Sequence, residues 1–110
     1  MQSYYASLAI PTILQQELWD FMGEGFVQLT PPPASKAIIT VMRVVADADG
    51  GGGTRQIWVT RLHSGVGGNC SFASLNGSHT VTAELSDGSV HEVQVELAPR
   101  TRTQIVVPVG

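Results

Sequence analysis

The chain has 110 residues, of which 43% are hydrophobic and only 14% are charged, and its formal net charge is −3. This length corresponds to one domain with a single hydrophobic core. Because Lys36 is the only lysine, the basic surface that binds phosphates is lacking, and we expect no nucleic-acid partner. So low a charged fraction is unusual for an isolated small domain and favours a protein that associates with others.

Cysteine content and hydropathy argue against a disulfide-linked, secreted or membrane-spanning protein. Cys70 is the single cysteine, which excludes an intrachain disulfide. No stretch reaches the ~18 apolar residues of a membrane helix, and the N-terminus lacks the basic region and apolar run of a secretion signal. We therefore expect no membrane association, and the compartment stays undetermined, with a virion as one candidate.

Residues 11–22 predict one short N-terminal helix. Pro11 suits a first helical turn, apolar residues recur at helical spacing, and Gly23 provides a stop. Because so short a helix is marginal alone, its apolar residues should contact the protein body or a partner. These candidate interface residues are Leu14, Leu18, Trp19, Phe21 and Met22.

Three consecutive prolines, Pro31, Pro32 and Pro33, follow a short extended piece at residues 26–29. Proline runs are stiff and extended. We therefore expect residues 1–33 to form a helical arm with a proline spacer. Residues 34–110 would then form a β body within a single domain overall.

Six segments of this body have the residue types and turn boundaries of β-strands. The first is apolar throughout, as in a central strand, whereas Pro108 places the last at a sheet edge. Asn76-Gly77 is typical of a hairpin turn between the third and fourth segments. The pattern predicts a mainly β fold, an antiparallel, immunoglobulin-like β-sandwich or small barrel. The six segments are residues 37–46, 56–62, 70–75, 78–85, 89–97 and 103–109.

A hairpin over residues 78–97 is the best-defined element. Apolar and polar residues alternate on both sides of Ser86-Asp87-Gly88, and the apolar positions are odd on both sides. A three-residue loop with Gly88 in the left-handed region brings both apolar sets to one face. This register predicts that Val81, Val93 and Val95 are buried and that Thr82, Gln94 and Glu96 are exposed.

The order of elements over residues 72–109, with the run Leu75, Gly77, Thr80 and Val81, resembles the second half of a carboxypeptidase-regulatory or transthyretin-like β-sandwich. In that family a loop glycine precedes a strand, then a hairpin, then a terminal strand. The resemblance covers about a third of the chain. It implies a β-sandwich with a non-catalytic accessory or assembly role.

Two groups of residues are candidate metal ligands. Asp47 and Asp49 alternate like the first carboxylates of a calcium loop, but Trp58 occupies the twelfth position, where that loop needs a glutamate. In the hairpin register His79 and His91 stand roughly 13 Å apart, too far for one zinc ion. We therefore expect a flexible turn, no metal or other cofactor, and three ordinary surface or edge histidines.

Catalytic motifs are lacking in the sequence. Cys70 enters a β segment rather than a helix N-terminus, where a nucleophilic cysteine is activated, so we expect a buried structural cysteine. The sequence holds no serine-hydrolase, phosphate-loop or dinucleotide-binding motif. We expect no catalytic residues and no enzymatic activity.

These properties favour a structural, self-associating component of a larger assembly, such as a virion decoration, tail or spike protein. Its partners would be further copies of the chain or other proteins of the assembly. The alternative is a non-catalytic binding module that recognises a glycan or peptide through glycine-rich loops at residues 47–53 and 63–69, because loops at the ends of sandwiches commonly bind ligands.

Overall fold

A computed structural model describes residues 20–46 and 52–110. The described residues form seven strands and no helix, which confirms the mainly β class and adds one strand to the six predicted. No helix in these ranges is long and apolar enough to cross a membrane. The strands are β1 (Met22–Thr30), β2 (Ile38–Ala46), β3 (Thr54–His63), β4 (Asn69–Leu75), β5 (Gly77–Glu84), β6 (Val90–Leu97) and β7 (Arg102–Pro108).

The strands form two sheets. Sheet A has the order β4-β1-β7, and sheet B has the order β3-β2-β5-β6. Four of the five strand pairs are antiparallel, as predicted, but β1 and β7 are parallel. The predictions that residues 37–46 lie inside a sheet and that the last strand lies at an edge are confirmed.

Both sheets contribute to one core. Every second residue of β1 from Gly23 to Leu29 is buried, and the same alternation brings apolar side chains inward on the facing strands. The core consists of Val27, Leu29, Ala37, Ile39, Val41, Phe72, Val81, Ala83, Leu97, Ile105 and Val107. We call residues 22–108, which contain all seven strands, the two-sheet body.

The structure confirms the predicted register of the β5–β6 hairpin. Val81 pairs with Val93, and the Leu85 amide donates to the Ser89 carbonyl at 2.9 Å, which leaves a loop of three residues. Gly88 has φ +88°, in the left-handed region. Val81 is buried, Val93 and Val95 are partly buried, Gln94 and Glu96 are exposed, and Thr82 is partly buried rather than exposed.

We expect Gly88→Val to lower the free energy of unfolding by about 1–2 kcal/mol, because a β-branched residue is strained in the left-handed region. Gly88→Asn should cost less, since asparagine tolerates this conformation. Asp87→Asn should be nearly silent, because it keeps the oxygen that accepts from the Ser89 amide at 2.8 Å. Urea denaturation measures all three, and equal midpoints for Gly88→Val and the parent would contradict the left-handed assignment.

The prediction that the N-terminal helix extends to Met22 is wrong. Asp20 and Phe21 form a turn, and Met22 begins β1. Gly23 is a buried strand residue rather than a helix stop. The position requires glycine, because a Cβ there would lie 2.6 Å from the carbonyl oxygen of Ala98. The remaining candidate interface residues of that helix, Leu14, Leu18 and Trp19, lie outside the described residues.

Strand β1 lies in the middle of sheet A, between β4 and β7. Residues 22–30, which the sequence assigns to the arm, therefore belong to the two-sheet body. The Pro31–Pro33 run connects sheet A to sheet B, and the Val109 amide donates to the Thr30 carbonyl at its start, at 2.9 Å. The prolines thus lie between two paired strands rather than between an arm and a body.

The predicted hairpin at Asn76-Gly77 is also wrong. Strand β4 belongs to sheet A and β5 to sheet B, so the chain crosses between the sheets through Asn76 alone. Gly77 has φ +126°, a conformation that L side chains rarely adopt. The Arg43 Nη2 donates to the Asn76 carbonyl at 3.2 Å and holds the crossing against β2.

Candidate functional site

The two-sheet body has four edge strands, β3 and β6 in sheet B and β4 and β7 in sheet A. An edge strand presents unpaired backbone donors and acceptors that can pair with another chain. Most of the large hydrophobic side chains exposed among the described residues lie on these four strands. They are Ile57 and Trp58 on β3, Leu75 on β4, Val90 on β6 and Val106 on β7.

Strand β3 has the longest edge, with ten residues. The side chains of Ile57 and Trp58 are 41% and 59% exposed. Strand β2 pairs with β5 only as far as Arg43 but with β3 as far as Ala46, so the end of the β2–β3 pair projects beyond β5. A bulge at Val59 interrupts the β2–β3 register and turns Trp58 to the same outer face as its partner on β2.

Strand β6 forms the opposite edge of sheet B. Its inward residues are partly buried, while Glu92, Gln94 and Glu96 point outward and are exposed. Val90, at the start of the strand, is 59% exposed. The Glu96 carboxylate accepts a hydrogen bond from the Ser78 hydroxyl at 2.8 Å. This edge is therefore acidic, with an apolar residue at one end.

A shallow cleft of about 310 Å³ opens on the outer face of sheet A, against Phe26, Arg102 and Gln104. The Arg102 guanidinium lies over the Phe26 ring, 4.9 Å from the ring centroid. This cation–π contact stabilises the arginine in place and covers part of the aromatic face. The arrangement provides an open cleft rather than an enclosed ligand site.

A smaller cleft of about 170 Å³ lies between the proline loop after β1 and the glycine-rich loop after β3. The two loops are held together by hydrogen bonds from the Ser64 amide to the Ala37 carbonyl and from the Ala37 amide to the Ser64 hydroxyl, each 2.9 Å long. Of the other glycine-rich loop, residues 47–51 lie outside the described residues, and Gly53 precedes the first residue of β3, at the end of the strand opposite to His63.

His79 is buried, so the expectation of a surface histidine is wrong at this position. It lies on the inward face of β5, beside the ring of Phe72. Its Nδ1 lies 2.8 Å from the Gly77 carbonyl oxygen and its Nε2 lies 2.8 Å from the Ser74 hydroxyl. Since a carbonyl only accepts, Nδ1 carries the proton and Ser74 donates to Nε2.

A hydroxyl that donates to an imidazole is the first requirement of a nucleophilic serine. Ser74 and His79 are both buried, however, so a substrate in solution does not reach either side chain. The same interior holds the Nε of Arg43, a buried nitrogen without a hydrogen-bond partner. We therefore interpret the Ser74–His79 pair as a polar connection between the two sheets.

The pKa of His79 is lowered from its ordinary value of 6.5, chiefly because burial disfavours the charged ring, and Arg43 acts in the same direction against the opposing Gly77 carbonyl and Glu96. The unfolded chain then binds more protons than the folded chain between the lowered pKa and 6.5. The contribution of His79 to the free energy of unfolding is therefore fully present above the unfolded-state pKa of 6.5, and it decreases as the pH falls below that value.

We expect the free energy of unfolding to fall with decreasing pH below 6.5, with a slope smaller than the limit of about 1.4 kcal/mol per pH unit that one proton sets. Urea denaturation of the parent and of His79→Gln at several pH values measures it, and His91→Gln removes a partly exposed histidine of the same hairpin as a control. His79→Gln should flatten the pH dependence and His91→Gln should keep it. The same slope in all three proteins would contradict the assignment.

The other predicted site residues do not come together. Asp47 and Asp49 lie outside the described residues, and the described ranges hold no group of three potential metal ligands. His63 is at the end of β3, while His79 and His91 pair with Val95 and Ala83 respectively, as the predicted register requires.

Cys70 lies on β4 and is partly buried. Burial raises the pKa of its thiol, which is the opposite of nucleophile activation. Of the predicted interface residues that the structure describes, Phe21 is 60% exposed in its turn and Met22 is partly buried on β1.

Comparison with known proteins adds no function. The chain matches no protein-family model, and no curated protein matches it significantly.

Proposed function

We propose that the two sheets form a β-sandwich and that the chain is a structural, self-associating component of a larger assembly. The observation that carries this proposal is the position of the exposed hydrophobic side chains on the four edge strands. An assembly in which edges meet would pair the backbone groups and remove these side chains from water.

Soluble proteins protect edge strands with charges, prolines or covering elements. Strand β7 has such a residue in Pro108, and β3 has a bulge. Ile57 and Trp58 nevertheless lie exposed on β3. Tryptophan is also among the residues that contribute most to protein interfaces. The low charged fraction of the chain, 14%, fits a protein that is soluble as an assembly rather than as a monomer.

The resemblance to carboxypeptidase-regulatory or transthyretin-like domains supports the same proposal. The resemblance rests on the sequence of residues 72–109, in which a loop glycine, Gly77, precedes a strand, then a hairpin, then a terminal strand. A domain of that kind would be a non-catalytic assembly module. Within this class a virion decoration, tail or spike protein is the candidate that fits a small, glycine-rich β chain.

Light scattering coupled to size exclusion tests self-association directly. The chain has a mass of 11.7 kDa, and we expect the purified protein to elute with a multiple of that mass. Trp58→Glu should lower the associated fraction, because it places a negative charge in the exposed apolar part of β3. Ser86→Glu, in the exposed loop between β5 and β6, is the matched control. An elution mass of one chain at the highest soluble concentration would overturn the proposal.

A second candidate function is ligand binding at the cleft between the proline loop and the glycine-rich loop after β3. The two loops are hydrogen-bonded into one surface, and Lys36 lines the cleft. Its volume of about 170 Å³ is below that of ordinary small-molecule pockets, so it would hold one sugar ring or one side chain. Binding to a glycan or peptide array that Lys36→Ala abolishes would favour this function.

A further inference from the structure

Strands β3 and β6 are the two edges of the same sheet. No described residue pairs with the outer side of either strand. In sheet B each neighbouring pair is antiparallel, so β3 and β6 run in opposite directions. A second copy shifted sideways would therefore bring its β3 beside β6 of the first copy in an antiparallel arrangement, the same as elsewhere in the sheet.

The charges of the two edges are complementary. Strand β3 carries two arginines and no acidic residue, whereas β6 carries two glutamates and no lysine or arginine. Arg61 pairs with Thr40 on the outer face, and Glu92 pairs with Thr82 on the same outer face. Neither Arg61 nor Glu92 forms an ion pair with a described residue. Opposite charges across a strand pair stabilise it, and like charges destabilise it.

The edges of sheet A lack this complementarity. Strand β4 has no charged residue, and β7 has Arg102 alone, which already lies over the Phe26 ring. A pairing of two β3 edges or of two β6 edges would place like charges together. Charge thus selects the unlike pair within sheet B.

We propose that copies of this chain associate head to tail through the β3 edge of one copy and the β6 edge of the next, with Arg61 beside Glu92. The proposal rests on the proposed self-association and specifies its partner surface. With Arg61 opposite Glu92, alternation and the bulge at Val59 put Trp58 on the same face as Gln94 of the next copy. The exposed ring of Trp58 would then be covered by the neighbouring strand.

Charge reversal tests the pairing. We expect Arg61→Glu and Glu92→Arg each to raise the dissociation constant of the assembly about tenfold or more, because each places like charges at the junction. Matched controls are Arg102→Glu on β7 and Glu84→Arg at the end of β5, which make the same charge changes away from the junction. Circular dichroism checks that every variant is folded.

Complementation makes the test specific. An equal mixture of Arg61→Glu and Glu92→Arg places opposite charges at every junction between unlike copies, so the mixture should regain the mass of the parent. The double variant should regain it alone. Unchanged association of the single variants, or a mixture that stays dissociated, would overturn the β3–β6 pairing while the proposed function stands. A monomeric parent chain would overturn both.

Discussion

Deletion of residues 1–30 will leave the chain unfolded, because it removes β1. This strand is hydrogen-bonded to β4 on one side and to β7 on the other, so sheet A does not exist without it. The deletion also removes Val27 and Leu29, two fully buried core residues. Circular dichroism should show loss of the strand signal, and thermal unfolding should lose its cooperative transition.

The matched control is deletion of residues 1–19, which leaves all seven strands and the described core in the chain. This shorter deletion should retain a cooperative transition. If the chain without residues 1–30 kept its strand signal and unfolded cooperatively, β1 would be a dispensable arm, as the proline run alone suggests. That result would contradict the fold.

Leu29→Ala should lower the free energy of unfolding by about 2–5 kcal/mol. The Leu29 side chain is fully buried in the core, so its truncation removes apolar contacts and leaves a cavity. Val106→Ala, on the adjacent strand β7 but 51% exposed, should change the stability by less than about 0.5 kcal/mol. Urea denaturation compares the two, and equal midpoints would show that β1 does not contribute to the core.

The β5–β6 hairpin could be predicted from the sequence down to its register. Its information is local: two alternating segments share a parity, and Gly88 meets the loop's need for a left-handed residue. The edge position of the last strand followed in the same way from Pro108. Elements of this kind require no knowledge of distant contacts.

The sequence pattern does not predict strand β1, because glycines occupy two of its inward positions. Gly23 and Gly25 are buried there, but they add nothing to an apolar pattern and instead suggest a helix stop. A Cβ on Gly25 would lie 2.5 Å from the Phe72 ring, which fills the space that the glycine leaves. Such a requirement depends on β4, more than forty residues away in the chain, and has no local signal.

The crossing at Asn76 shows the limit of turn rules. Asn-Gly favours a hairpin when both strands belong to one sheet, but here β4 and β5 belong to different sheets. The burial of His79 follows from this crossing and from its odd position in β5, whose inward face the sequence had identified. The polarity of histidine instead favours a position at the surface.

The candidate assembly edges were only partly accessible to sequence reasoning. The basic character of β3 and the acidic character of β6 can be read from the chain. Their meaning depends on the order β3-β2-β5-β6, which places both strands at the open sides of one sheet. The low charge and the edge position of the last strand predict association, but the candidate interface residues that the sequence offers lie on the N-terminal helix and not on β3 or β6.

Amide hydrogen exchange of the full chain, at low and high protein concentration, tests the central claim that copies associate through their strand edges. We expect backbone amides of β3 and β6 to exchange more slowly in the concentrated sample. Amides of β1 and β2, which are paired on both sides within one copy, should exchange at the same rate in both samples. Equal exchange of β3 and β6 at the two concentrations, in a sample shown to be associated, would contradict the account.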